Sequence, residues 1–451
     1  MKKITNENAP CPCGSGRKYK RCCLIKTYLE VGKEELIKKR LIKEILSFFK
    51  RYYLNSLKEA LKCFWFGLDP QKHLTKEMLQ TAEINFHEWI VFDWAPEEND
   101  NILIDLFIEK TKKLNPQELK ILAMMRESVL SLYEVQEVFP EMGLLLKDLL
   151  LGGEYLVRER LATRNLVKWD IFAARLLYLD GKYIMSGSIY YYPREIKSSI
   201  MKHLNKEFKK WKKDFPKDTM RDFLKWNSNL FNLYWCNYII NPPKMKVFTS
   251  TGEPFIIAKA IFKIKNKQEV IKALKKIECF NREAHKSFTW LDKEKEDGSA
   301  LVLGNIKVHK SQLVLECCSQ KRLEEGKKII EENLSNLVIH KEDIIQDPMT
   351  VLESFKDIPI KEKEEKIPLE IEQELYTHFM DKYNKDWINQ KIPVLDGKTP
   401  LEAVKTKEGR KKVIEILKDI ENKEEHKKRE GRPFYDISWL WEALKIKRDE
   451  E

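Results

Sequence analysis

The stretch Leu176-Leu177-Tyr178-Leu179-Asp180-Gly181-Lys182-Tyr183-Ile184-Met185 decides the fold class of this chain. Asp-Gly between two β-prone apolar runs is among the strongest local hairpin signals, because a two-residue turn of the matching twist needs positive φ at both positions. The pattern repeats upstream. Turn signals at Pro140 to Gly143 and at Gly152-Gly153 separate further apolar runs. Residues 133–139, 144–151, 155–159, 171–179 and 183–192 therefore read as five short strands. Five strands in about sixty residues predict a small antiparallel barrel, closed or half-closed.

Outward from the barrel the period changes to that of helices. Leu36, Ile37, Leu41, Ile45, Phe48 and Phe49 recur at helical spacing beside a lysine-rich face. Phe86, Trp89, Ile90, Phe92 and Trp94 form an aromatic cluster that reads as core packing. Two basic groups have two readings each. Arg158, Arg160, Arg164, Lys168 and Arg175 gather around the middle of the barrel. Barrels of OB or SH3-like size bind oligonucleotides through such a face, and a charged edge also protects a sheet from aggregation. Lys206, Lys209, Lys210, Lys212 and Lys213 interleave with Phe208 and Trp211 on a helix after the barrel. That is either a nucleic-acid or ribosome contact or a solvated helix face.

Past Pro242-Pro243, residues 245–355 read as an α+β unit in the order β-α-β-β-β-α-β, with Asn266 and Ser319 as helix caps. This order predicts a split βαβ layer with both helices on one side. The segment 356–366 is highly charged and reads as a linker, and the remainder is helical around a structured turn at 388–402.

The clearest chemistry lies near the N-terminus, in Cys11-Pro12-Cys13-Gly14-Ser15-Gly16-Arg17-Lys18-Tyr19-Lys20-Arg21-Cys22-Cys23. A C-x-C pair and a C-C pair joined by a short loop can close on one tetrahedral ion, and zinc takes four thiolates in this way. Arg17, Lys18, Lys20 and Arg21 favour the thiolate form beside a doubly negative centre. With all four positions filled by protein the site is structural. A disulfide cluster and free surface thiols are the other readings of four cysteines, but a disulfide framework belongs to small secreted domains, and no secretory segment is evident here. The remaining five of the nine cysteines read as reduced and buried.

This stretch resembles the SEC-C motif, the zinc module found at the C-terminus of the SecA preprotein-translocase motor and in many otherwise unrelated bacterial proteins. The resemblance implies that Cys11, Cys13, Cys22 and Cys23 bind Zn2+ and that the knuckle contacts a protein partner, a chaperone or the ribosome. It covers about the first 25 residues, and no motor sequence follows. A second resemblance runs from Trp387 through Ile392-Pro393-Val394-Leu395-Asp396-Gly397-Lys398-Thr399-Pro400-Leu401-Glu402-Ala403 to Gly409-Arg410. It is similar to the C-terminal toxin-binding domain of Xre/MbcA/ParS-type antitoxins. In physical terms Gly397 makes a turn, Thr399 caps, and Pro400 starts a helix.

Composition bounds the rest. The chain has 451 residues, 34% of them charged, and a net charge of +12 that suits a nucleic-acid, ribosomal or acidic-protein partner. No apolar run reaches the roughly 18 residues that a membrane helix needs, so a cytoplasmic protein is expected. Enzyme motifs fail one by one. Gly397-Lys398-Thr399 lacks the first glycine of a phosphate loop, where Ile392 stands, and His87-Glu88 lacks the second histidine of a zinc-protease helix, where Val91 stands. His309, Cys317 and Cys318 do not make a metal set, because neighbours on a strand face opposite ways.

The expected architecture is α+β and multidomain, largely helical, with an N-terminal zinc knuckle, a small antiparallel β-barrel and a split-βαβ-like unit. Its parts are the knuckle at 1–25, a helical domain at 26–128, the barrel at 129–193, a helical segment at 194–244, the α+β unit at 245–355, the linker at 356–368 and a C-terminal helical domain at 369–451. The expected function is a non-enzymatic zinc-binding adaptor that contacts a chaperone or ribosome surface, with weak nucleic-acid binding, no membrane contact and no catalytic residues. Two alternatives stand beside it. A nuclease-like enzyme recruited by the zinc module would show acidic residues clustered in the α+β unit. An antitoxin-like regulator would show an exposed apolar surface on its C-terminal helices.

Overall fold

Asp180 and Gly181 adopt φ values of 50° and 75°, the paired left-handed conformation that a tight hairpin turn requires. They join β4 (Ile171–Leu179) to β5 (Lys182–Tyr192). The structure is a computed structural model that describes residues 32–97, 101–242, 247–249, 252–284, 287–292, 300–348, 350–351 and 368–448. The four-cysteine stretch 11–23 and the charged segment 356–366 lie outside the described residues. The described fold is mostly helical and contains a small closed five-stranded barrel. The chain divides into two compact units: Met1–Pro243 with Leu369–Asn384 and Arg410–Glu451, and Lys244–Pro368 with Lys385–Gly409.

In the first unit, β1 (Leu130–Phe139), β2 (Gly143–Asp148) and β3 (Glu154–Arg158) complete the barrel, which closes in the order β1-β2-β3-β5-β4. The barrel is not wholly antiparallel, as the sequence had led us to expect. β3 and β5 run parallel, with Val157 opposite Tyr183 and Arg158 opposite Ile184. An odd number of strands in a closed ring cannot alternate in direction throughout, so one pair has to be parallel. Alternation along each strand then separates two cores. Val135, Leu144, Leu146, Val157, Phe172 and Ala174 fill the barrel. Leu132, Ile171, Ala173, Leu177 and Tyr190 face the other way, into a helical core.

That core is supplied by α1 (Lys33–Tyr52), α2 (Leu57–Trp65), α3 (Lys76–Phe92), α4 (Leu103–Lys110) and α5 (Pro116–Glu127). Phe86, Trp89, Ile90, Phe92 and Trp94 are all buried in it. Asn115 begins α5 with a capping box to Glu118 and with Pro116 in the first turn. After the barrel come α6 (Lys197–Asp214), α7 (Met220–Trp226) and α8 (Asn229–Ile240).

The second unit is built on a six-stranded sheet. Its strands are β6 (Ile257–Ile264), β7 (Phe280–Ala284), β8 (Ser287–Leu291), β9 (Val302–Val308), β10 (Gln312–Cys317) and β11 (Val338–Gln346), in the order β11-β6-β10-β9-β8-β7. All neighbours pair antiparallel. β7 to β10 form a meander with one strand more than expected, β7, and β6 lies between β10 and β11. The helices α9 (Lys267–Leu274) and α10 (Gln320–Leu334) begin at Asn266 and Ser319, the caps read from the sequence. Val270, Leu274, Leu323 and Ile330 join Ala260, Phe262 and Leu315 of the sheet in one core. Gly326 permits this approach, because a Cβ there would lie 2.8 Å from the Trp290 ring. In the turn at 392–403, Asp396 and Gly397 take positive φ, and Thr399 forms a capping box with Glu402 ahead of Pro400.

The C-terminal helices are α11 (Leu369–Trp387), α12 (Pro400–Ala403), α13 (Lys407–Arg429) and α14 (Ser438–Ala443). Among the described residues no helix is long and apolar enough to cross a membrane.

Candidate functional site

α13 is strongly polar, and within the first unit it lies along the barrel on charges. Glu134 projects from β1, is itself buried, and accepts from Lys197 at 2.7 Å, Lys418 at 2.8 Å and Arg194 at 3.1 Å. Burial pushes the Glu134 carboxyl up, but the fields of Lys197, Lys418 and Arg194 outweigh it and hold the group well below the usual carboxylate range. Arg194 also binds Asp419 at 2.6 Å and Glu415 at 3.0 Å. Trp169, buried and with a φ of 69°, donates its indole N–H to Glu421 at 2.7 Å and lies beneath the ammonium of Lys418.

A cleft of about 500 Å³ opens beside this network, walled by Tyr191 and Tyr238 and floored by Asp170, Asn422 and His426. Asp170 accepts from the Val167 amide at 2.7 Å and from Asn422 at 2.8 Å, and pairs with His426 at 2.8 Å. This hydrogen bond raises the pKa of His426, with burial opposing it. Burial pushes the Asp419 carboxyl up against the pull of Arg194. A histidine oriented by a carboxylate is half of a hydrolytic constellation. The other half is a nucleophile, and the described lining contains no serine, threonine or cysteine. The charged groups of this cleft hold α13 to the barrel. Local sequence patterns could not point to this cleft, because its lining comes from positions 165–195, 238 and 419–426.

The basic residues singled out in the barrel do not form a common face. Arg175 is buried and binds Asp93 and, at 3.4 Å, Glu88. Arg158 pairs with Glu35. Arg160 and Arg164 both hold Glu141, whose carboxyl is brought down to about 2 by hydrogen bonds from Arg164 and Arg160. Lys168 lies over the Trp169 ring. In OB-type barrels the second and third strands and the 1–2 and 4–5 turns receive oligonucleotides. Here the 4–5 turn is engaged, because Asp180 accepts from the Glu34 and Glu35 amides at 3.2 Å each. On α6, Lys206, Lys209, Lys210 and Lys213 are exposed, Lys212 is half-buried and donates to the Pro216 and Asp218 carbonyls, and Phe208 and Trp211 turn inward onto Phe223 of α7.

Two family models match the chain. The SEC-C motif matches residues 8–24, and a family of unknown function (DUF7986) matches residues 28–230. No curated protein and no solved structure matches. The first match falls on Cys11, Cys13, Cys22 and Cys23. The second covers α1 to α7 and the whole barrel, whereas α13 lies beyond it. Among the described residues no group of three or more histidine, cysteine or acidic side chains is arranged to hold a metal. Of the five other thiols, expected to be buried, Cys236 and Cys317 are, whereas Cys63 is exposed and Cys279 and Cys318 are half-buried, Cys318 accepting from Arg322 at 3.1 Å.

Proposed function

We propose that this chain is a non-enzymatic interaction protein whose N-terminal knuckle carries a structural zinc and recruits a partner, with the barrel and helices as its scaffold. The reading rests on the SEC-C match at residues 8–24, which coincides with the four-cysteine spacing. The donor set suits zinc, because four thiols in two close pairs satisfy a tetrahedral ion and leave no open position. Cys11, Cys13, Cys22 and Cys23 would hold the ion and order the loop that presents Arg17, Lys18, Lys20 and Arg21. The basic loop favours an acidic partner surface, such as a chaperone face or the ribosome. Sedimentation through a sucrose cushion with purified ribosomes tests this. Wild type is expected in the pellet and Cys22→Ser in the supernatant; equal pelleting of both would remove the knuckle from the contact.

A second reading, of an antitoxin-like regulator, draws on α11. Its Leu375, Phe379 and Tyr383 follow one another at helical spacing and are 59%, 63% and 50% exposed. Apolar stripes of this kind mark protein contacts. Under this reading Phe379→Glu abolishes co-purification of a co-expressed toxin, whereas Cys22→Ser leaves it intact.

A further inference from the structure

A second concave site in the first unit lies between α1 and the segment that follows α4. It is a groove of about 670 Å³, and its lining is dominated by cations. Glu44 is the carboxylate in the described lining, and it is paired with Arg40, which also binds Glu118. Lys43, Arg51, Lys110, Lys112 and Lys113 are all exposed, and among the described residues none has a carboxylate at ion-pair distance.

One aromatic ring stands among these cations. Tyr52 is 52% exposed and is backed by buried Phe48, with ring centroids 4.9 Å apart. The Lys110 ammonium lies 5.1 Å from the Tyr52 centroid and 5.5 Å from that of Tyr53, and the Arg51 guanidinium lies 5.4 Å from Tyr52. The ring is thus held from behind and flanked by two positive charges. Helix dipoles explain Arg51 and Lys110, which sit in the C-terminal turns of α1 and α4. They do not explain Lys43, which lies well inside α1, or the outward ring.

We propose that this groove binds single-stranded nucleic acid, with phosphates on the unpaired cations and one base stacked on Tyr52. Sites of this class combine a cationic track with an aromatic platform. An acidic peptide would match the charges but would have no use for the ring. When a base stacks, Lys110 and Arg51 exchange a weak exposed contact with the ring for charge-assisted hydrogen bonds to the flanking phosphates.

The test is a fluorescence-anisotropy titration of the full-length protein with an oligouridylate of about 12 nucleotides. Phosphate contacts by all five cations predict roughly a hundred-fold loss of affinity between about 50 and 200 mM salt. Lys43→Glu/Lys110→Glu/Lys113→Glu should lose binding, and the milder Lys43→Gln/Lys113→Gln should weaken it while leaving the melting curve unchanged. Tyr52→Ala should cost about tenfold on the oligomer and nothing on inorganic polyphosphate. Lys209→Glu/Lys213→Glu on α6 and Cys22→Ser should both bind as wild type, which separates this site from the knuckle. Wild-type affinity in both groove variants, loss of binding in the α6 variant, or equal displacement by polyglutamate would overturn the proposal. An unaltered affinity in Tyr52→Ala would overturn the stacking role.

Discussion

Asp180 carries two structural tasks at once. As the first residue of the β4–β5 turn it holds a φ of 50°, and its carboxylate caps the start of α1 through the Glu34 and Glu35 amides. The Glu34 carboxylate in turn accepts from the Asp180 amide at 2.7 Å. Asp180→Ala removes the cap and places alanine in a strained conformation, so it should destabilise the first unit by about 2 kcal/mol. Urea unfolding measures this, and a midpoint within error of wild type would show that the cap is redundant. Glu134 is the other decisive residue. Glu134→Gln leaves Arg194, Lys197 and Lys418 facing a neutral group, and breaking a buried ionic cluster of this kind costs about 3–5 kcal/mol. Because its folded pKa is depressed, the carboxylate contributes fully above the ordinary glutamate range, and the contribution disappears only as pH falls through the folded value. Wild type should therefore lose stability in acid more steeply than Glu134→Gln, and parallel acid-unfolding curves would exclude Glu134 as the source. Neither role can be read from sequence neighbours. The Glu134–Lys418 contact spans 284 positions, and local patterns carry no information across such a gap.

The main elements follow from local chemistry. The Asp180-Gly181 turn, the Asn266 and Ser319 caps and the Thr399-Pro400 helix start are each fixed by a few adjacent residues, and these were legible. β7 was not. Phe280-Asn281-Arg282-Glu283-Ala284 is too polar to signal a strand, and it forms by pairing with β8 at the edge of the sheet. The barrel arginines misled for a related reason. They are close in sequence, but Arg158, Arg160 and Arg175 find their acids on α1, the β1–β2 turn and α3 with its C-cap. The ionic docking of α13 gives a prediction at this scale. The pKa of His426 is raised, so its pairing with Asp170 contributes fully below the ordinary histidine value and is lost as pH rises through the higher folded value. The neighbouring charges that bear on it, Arg429 and Glu430, oppose each other. The ring is partly solvated, so the effect should stay below about 1 kcal/mol. Hydrogen exchange of α13, corrected for intrinsic rates, should show stronger protection at the acid end of this window. His426→Gln should flatten the dependence, and a wild type already flat would mean that this pair does not hold the helix.

For the whole molecule, the proposed reading gives the knuckle and the body different sources of stability. The first unit has an extensive apolar core joining the helices and one face of the barrel, and the second has its own. On the proposed reading, a segment of about 20 residues with four cysteines is too short for a comparable core and would depend on its metal for folding. Cys22→Ser should therefore leave the melting of the body within a few degrees of wild type, roughly the effect of about 1 kcal/mol. A large drop in the melting temperature would show that the knuckle supports the body. The most direct measurement is elemental analysis of the purified full-length chain, with Cys22→Ser analysed beside it. The account predicts one zinc per wild-type chain and less than one in the variant. No zinc in wild type, two per chain, or an unchanged zinc content in Cys22→Ser would contradict a single four-cysteine site.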